Sequence, residues 1–417
     1  MSRKILFIDP IDKGYRNFLR LNYKFNERGY ETLLVHATSF RHPIKDKEYL
    51  IDGLLIRDIS YYKTKLFRNV IEREKPSIIL IVNLSFVLDR AIVNIAKEKN
   101  IKIVYLAHGS LTNPAKFDKA RENLDTKIKG NAKRIFSMKN LYGLWNYIDS
   151  KKQKEKIPTF FKLIKGIMAH PAQYLTLAKY DEELDADLML VYENKDKKLL
   201  VEKMNFSENK IKVVGNPEIT GFINLPILEK KKFAGDIGIQ RDNYVVYLDD
   251  GLVANKIWTK DEWYSHLISI AKILEKKQMQ LVVKLHPRVN LDEYSEFFIE
   301  NKNLIIPIVE TDFKNLLYHS KLVISHYSST IVYALLFYKK IIVPKWAKNS
   351  MALTNKYPEN IVVYCENIIK FEKEVDNSEI NNLDIENINI FLKEIGVDTS
   401  LNSIDLIVNS ILSVLEK

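Results

Sequence analysis

Three short stretches in the second half of the chain carry the side chains best suited to chemistry. Asp249-Asp250-Gly251 follows the apolar run YVVYL, Lys284-Leu285-His286-Pro287 closes the run LVVKLH, and Ser328-Ser329-Thr330 follows KLVIS and His326-Tyr327. In a strand, alternation puts Lys284 and His286 on one face at the tip, and Pro287 ends the ladder because it has no N–H to donate. Two groups able to carry positive charge at a strand tip suit an anion. Ser328 and Ser329 precede the apolar run TIVYALLFY. Either can cap a helix there, and a helix start offers N–H groups and a positive dipole end to a phosphate. One of the adjacent carboxylates can accept the proton of an attacking hydroxyl. Asp-Asp-Gly is also ordinary turn chemistry, and a serine pair is also an ordinary cap. A metal site is the weaker reading, since no further acidic residue stands at ligand spacing.

Position favours function over turns and caps. All three stretches fall at the carboxyl ends of expected parallel strands in one domain, where open α/β sheets bind ligands. Short apolar runs alternating with helical periodicity support that fold class, α/β. In the first half the expected strands are residues 4–9, 31–37, 77–82 and 101–109, with helices at 15–28, 64–74 and 89–99. Residues 113–180 break the rhythm as a lysine-rich helical insert, and strands resume at 188–193 and 211–217. The polar stretch within 219–242 suits a linker. Strands then follow at 244–248, 281–286, 304–308, 321–325 and 340–344, with helices at 260–276, 313–319 and 329–338. An amphipathic helix at 402–417 closes the chain. The expected architecture is two Rossmann-like domains, 1–230 and 231–417, facing a cleft, with the terminal helix packing back on the first domain.

Composition narrows the functional classes. The single cysteine, Cys365, excludes a disulfide within the chain and suits a reducing compartment. Neither a secretory signal nor an apolar run of spanning length is present in the sequence, so a cytoplasmic location is expected. The net charge of +11 calls for an anionic partner. Nucleic acid is not expected, because no zinc spacing, recognition helix or ribonucleoprotein motif accompanies the charge.

D-D-G, then K-x-H-P, then S-S before a helix resembles the motif set of bacterial sialyltransferases and the related transferases for Kdo and pseudaminic acid. That resemblance covers residues 249–330 and implies the GT-B fold, a CMP-activated nonulosonic or ulosonic acid as donor, and a glycan or lipid-linked glycan acceptor in capsule or lipopolysaccharide assembly. It implies Asp249 or Asp250 as general base, with Asp250 preferred. It further implies His286 at the departing phosphate of CMP, with Lys284, Pro287, Ser328, Ser329, Thr330 and Gly251 on the donor side. Replacing either aspartate by asparagine is then expected to stop transfer while CMP affinity stays near normal. No metal or cofactor is implied, since CMP leaves as a single phosphate that hydrogen-bond donors and one imidazole can stabilise. His326 departs from the family pattern. SHYSSTIVYALLFYKKIIVPKW also resembles the CDP-glycerol and teichoic-acid polymerases, which lack the D-D-G element.

The first domain offers Asp9 and Gly14 after its first strand, and His108, Gly109 and Ser110 after its fourth, as acceptor-side candidates. His36, His42, His170, His266 and His319 read as surface or core residues. Residues 116–168 are basic with interspersed aromatics, which suits peripheral contact with the inner face of an anionic membrane. A solvated insert packed on its own domain is the alternative. Three rival functions stand beside transfer: a polyol phosphotransferase using CDP-glycerol or CDP-ribitol, a nucleotide-sugar 2-epimerase, and a non-catalytic protein that binds membrane or polyanion.

Overall fold

A computed structural model of the chain describes residues 3–83, 86–108, 137–171, 174, 184–241, 243–286, 289–346, 357–377, 382–397 and 402–416. Two compact units divide it: Met1–Thr220 with Ile395–Lys417, and Gly221–Glu394.

The described part of the first unit holds one eight-stranded sheet. Its strands are β1 (Lys4–Asp9), β2 (Glu31–His36), β3 (Glu48–Ile51), β4 (Leu54–Asp58), β5 (Ile78–Ile81), β6 (Lys102–Leu106), β7 (Leu188–Val191) and β8 (Ile211–Val213). They lie in the order β3-β4-β2-β1-β5-β6-β7-β8. Pairing is parallel except for the β3–β4 hairpin, an addition to the expected strands. Asp52 and Gly53 turn that hairpin with φ of 45° and 77°, the left-handed pair that an Asp-Gly turn favours. The β1, β2, β5 and β6 side chains are almost wholly buried, as continuous apolar strands covered on both faces must be.

The terminal helix Ser403–Leu415 buries Ile407, Val408 and Ile411 in the core of this same unit. Its Asn409 accepts a hydrogen bond from Arg28 at the end of the helix Tyr15–Glu27. The chain changes unit at 220/221, beside the expected division at 230/231, and returns to the first unit at Ile395. The expected linker also differs. Pro217–Ile223 and Lys230–Asp236 are helices, the second anchored by buried Phe233, an apolar group that needs cover even within a lysine-rich stretch.

The second unit holds a six-stranded, all-parallel sheet among its described residues. Its strands are β9 (Asn243–Leu248), β10 (Met279–Lys284), β11 (Ile305–Ile308), β12 (Val323–Ile324), β13 (Ile341–Pro344) and β14 (Val363–Cys365). They lie in the order β11-β10-β9-β12-β13-β14. The chain winds outward one way from β9 and the other way from β12, so the switch point lies between these two strands. The crossover helix Lys260–Lys276 starts on a reciprocal capping box between Thr259 and Glu262. The helix expected at 329–338 is short, Ile331–Leu335, because Tyr338 takes a left-handed conformation (φ 51°) and a hydroxyl turn at Ser328 precedes it.

Candidate functional site at the second switch point

The carboxyl ends of β9, β10 and β12 meet at the switch point, and the two aspartates join them. Asp249 accepts through Oδ1 from the Gly251 N–H and through Oδ2 from the His286 N–H, each at 3.1 Å. That second bond explains why β10 stops at Lys284 rather than at His286: the His286 amide turns from the sheet to the neighbouring carboxylate. Gly251 has φ 69°, which disfavours any other residue, and a Cβ there would lie 3.5 Å from His286 Cγ. The imidazole thus lies against a bare turn. Burial raises the Asp249 pKa, and the two backbone donors and the nearby imidazole pull against it.

Asp250 reaches the other way. Its Oδ2 accepts from the backbone N–H of His326 (2.6 Å) and of Tyr327 (3.3 Å). Its Oδ1 accepts, among the described residues, from Ser325 Oγ alone, at 3.1 Å. Asp250 is 6% exposed. Burial pushes its pKa up to about 6 against these donors. The same Ser325 oxygen receives the Ser328 N–H, and the Tyr327 hydroxyl donates to the Asp250 carbonyl. One carboxylate therefore organises the loop that carries the serine pair. Ser325 and Tyr327 are signalled in the sequence only by adjacency to the motif, and Tyr357, whose hydroxyl donates to the Ser328 carbonyl, carries no signal.

Ser328 Oγ is bound to the Thr330 hydroxyl (2.7 Å) and amide (3.2 Å), while Ser329 is exposed. Lys284 does not match the expected anion cup. Its ammonium donates to the Leu285 and Val309 carbonyls, holding the ends of β10 and β11 together, and burial lowers its pKa. Pro287 lies outside the described residues. His326, the departure from the family pattern, is a core residue: its Nε2 meets the Tyr247 hydroxyl at 3.1 Å among Trp258 and His266, and burial pushes its pKa down to about 3.

The first unit gathers a second set at its own switch point between β1 and β5. Asp9 is buried at the end of β1, accepts the Ile11 N–H, and is pushed up to about 6 by burial. A Cβ on Gly14 would fall 2.2 Å from Asp9 Cγ, so glycine there makes room for the carboxylate. His108 Nδ1 lies 2.8 Å from the Val82 carbonyl, an acceptor, so Nδ1 carries the proton. Ser110 and Gly109 lie outside the described residues. His36, expected as a bystander, stands beside Asp9 in the β1–β2 register with its Nδ1 3.2 Å from Asp58 Oδ2. Against the upward push of burial, hydrogen bonds from His36 and Ser39 hold Asp58 well below the usual carboxylate range.

No family model and no curated protein matches the sequence. Solved structures do match over nearly the whole chain. A UDP-GlcNAc 2-epimerase from Methanocaldococcus jannaschii is 15% identical over 98% of this chain and 99% of its own, with a TM-score of 0.57. The S. aureus MnaA–UDP structure is 14% identical over 100% and 97%, TM-score 0.54, and the calicheamicin glycosyltransferase CalG4 12% over 100% and 99%, TM-score 0.52. The chain has the GT-B fold. Both sheets and the terminal helix belong to that GT-B architecture, and at these identities the likeness is one of fold.

Proposed function

We propose that this GT-B chain is a glycosyltransferase that moves a nonulosonic or ulosonic acid from its CMP donor to a glycan acceptor. One observation carries the reading: D-D-G, His286 and the serine loop, far apart in sequence, are bonded into one cluster at the switch point of the second unit. In this reading the acceptor hydroxyl attacks the anomeric carbon as the bond from that carbon to the CMP phosphate oxygen breaks. The hydroxyl proton passes to Asp250, and the electron pair leaves on the phosphate, where His286 and Ser329 donate. Oδ1 of Asp250 suits the task, having one rotatable hydroxyl as its partner among the described residues, whereas both oxygens of Asp249 hold backbone amides. Asp249 is then a positioning residue for His286. No metal is required.

The pKa near 6 has a kinetic consequence. A base must be ionised, so kcat/KM should fall about tenfold per pH unit below that value and level off above it, since kcat/KM follows the groups of the free enzyme. A pH series of kcat/KM with CMP-sugar and acceptor checks it. The residual activity of Asp250→Asn should lack the limb, and a limb that survives there points to another group, such as Asp9. A 2-epimerase is the second reading, favoured by the likeness in fold to the M. jannaschii UDP-GlcNAc 2-epimerase. It requires a UDP-sugar and no acceptor, so CMP release that depends on acceptor separates the two.

A further inference from the structure

The helix Gln153–Ala169 carries two distinct faces. Lys156, Thr159, Leu163, Gly166 and Ile167 are the covered or half-covered positions, the side turned to the protein. Ile157, Phe160, Phe161, Ile164 and Met168 are exposed, Phe161 at 65% and Met168 at 77%. Their spacing of i, i+3, i+4, i+7 and i+11 makes one continuous apolar stripe along the helix. Lys154 and Lys165 fall seven before and four after Phe161, on the edge of that stripe, with Lys162 beyond them, and all three are exposed. The preceding helix, Met138–Asp149, repeats the device: Met138, Leu141 and Trp145 are exposed at i, i+3 and i+7 while Asn140, Gly143 and Asn146 are buried. Leaving aromatic and aliphatic side chains of this size in water is unfavourable relative to burial, so a repeated stripe calls for cover.

We infer that these two helices are a docking surface for an anionic lipid bilayer. Charge complementarity selects that occupant. Lysines on the border of the stripe can reach lipid phosphates while the aromatic and aliphatic side chains enter the boundary between headgroups and acyl chains. Among the described residues no helix is long and apolar enough to cross a membrane, and a stripe along one helix face is the geometry of a helix lying in the interface. The inference concerns the first unit alone and stands whichever reaction the second unit performs.

Vesicle flotation of the full chain tests it, with phosphatidylglycerol vesicles against phosphatidylcholine vesicles. Binding is expected to the anionic vesicles and to weaken with salt. Phe161→Ser with Ile164→Ser should lower the partition coefficient about tenfold or more, and Lys154→Glu with Lys165→Glu should lower it on anionic vesicles alone. All four positions are exposed, so the melting temperature should not move, and unchanged melting shows that the variants fold. Equal binding to both vesicle types, or no effect of the Phe161/Ile164 pair, overturns the proposal. So does absence of vesicle binding together with a dimer that the same pair dissolves, which assigns the stripe to self-association.

Discussion

His286→Ala is expected to lower turnover by at least ~100-fold while the KM for the CMP donor changes less. The scale is that of removing one donor aimed at developing negative charge. An imidazole at the departing phosphate contributes most where charge builds, so its loss appears in turnover before affinity. The bond from residue 286 to Asp249 uses the backbone N–H, which alanine keeps, and the ring lies against the bare Gly251 turn. Steady-state kinetics with varied donor at saturating acceptor read the result. Unchanged turnover with a raised KM would make His286 a phosphate anchor, and unaltered kinetics would remove it from the site.

The two aspartates should respond to asparagine in opposite ways. In Asp250→Asn the new carbonyl oxygen can take the Oδ2 place and keep the His326 and Tyr327 amides, while the NH2 faces the Ser325 hydroxyl, which can rotate to accept. Fold and CMP affinity should therefore survive, with turnover down by ~10²–10⁴-fold through loss of the base. In Asp249→Asn no such orientation exists. Both oxygens accept from backbone N–H groups, so the NH2 must confront one of them. That leaves a buried donor unpaired, a cost of about 1–3 kcal/mol, and lets the His286 strand end drift. The sequence-based expectation that both variants keep normal CMP affinity thus narrows to Asp250. Calorimetric CMP affinity and melting temperature, measured beside turnover, distinguish the cases. Asp250→Asn with full activity would leave Asp250 a latch, and Asp249→Asn with wild-type melting and affinity would refute the latch assigned to Asp249.

Much of the fold was legible because buried parallel strands are written as apolar runs. KILFID and IIVP fall within a residue of their expected places, and the helices at 260–276 and 313–319 coincide with the structure. The β3–β4 hairpin is marked in the sequence only by its Asp52-Gly53 turn, because partly exposed EYLI lacks the density of a core strand. The lysine-rich helix Lys230–Asp236 reads as a linker in the sequence because its one apolar anchor, Phe233, gives no periodicity. At the site the motif positions were legible and their bonding was not. Lysine at a strand tip signals an anion, yet the Lys284 ammonium meets two backbone carbonyls of β10 and β11, a partnership set by sheet register. His36 and His326 were equally opaque, since both acquire their surroundings from strands distant in sequence.

The most direct test of the donor assignment is calorimetric titration of the full chain with CMP, UDP and CDP-glycerol under one set of conditions. A CMP donor site at His286 and the serine loop predicts that CMP binds more tightly than UDP, and that CDP-glycerol gains nothing over CMP. UDP binding clearly better than CMP would contradict the account and favour a UDP-sugar enzyme such as a 2-epimerase. CDP-glycerol binding clearly better than CMP would contradict it in favour of a polyol phosphotransferase.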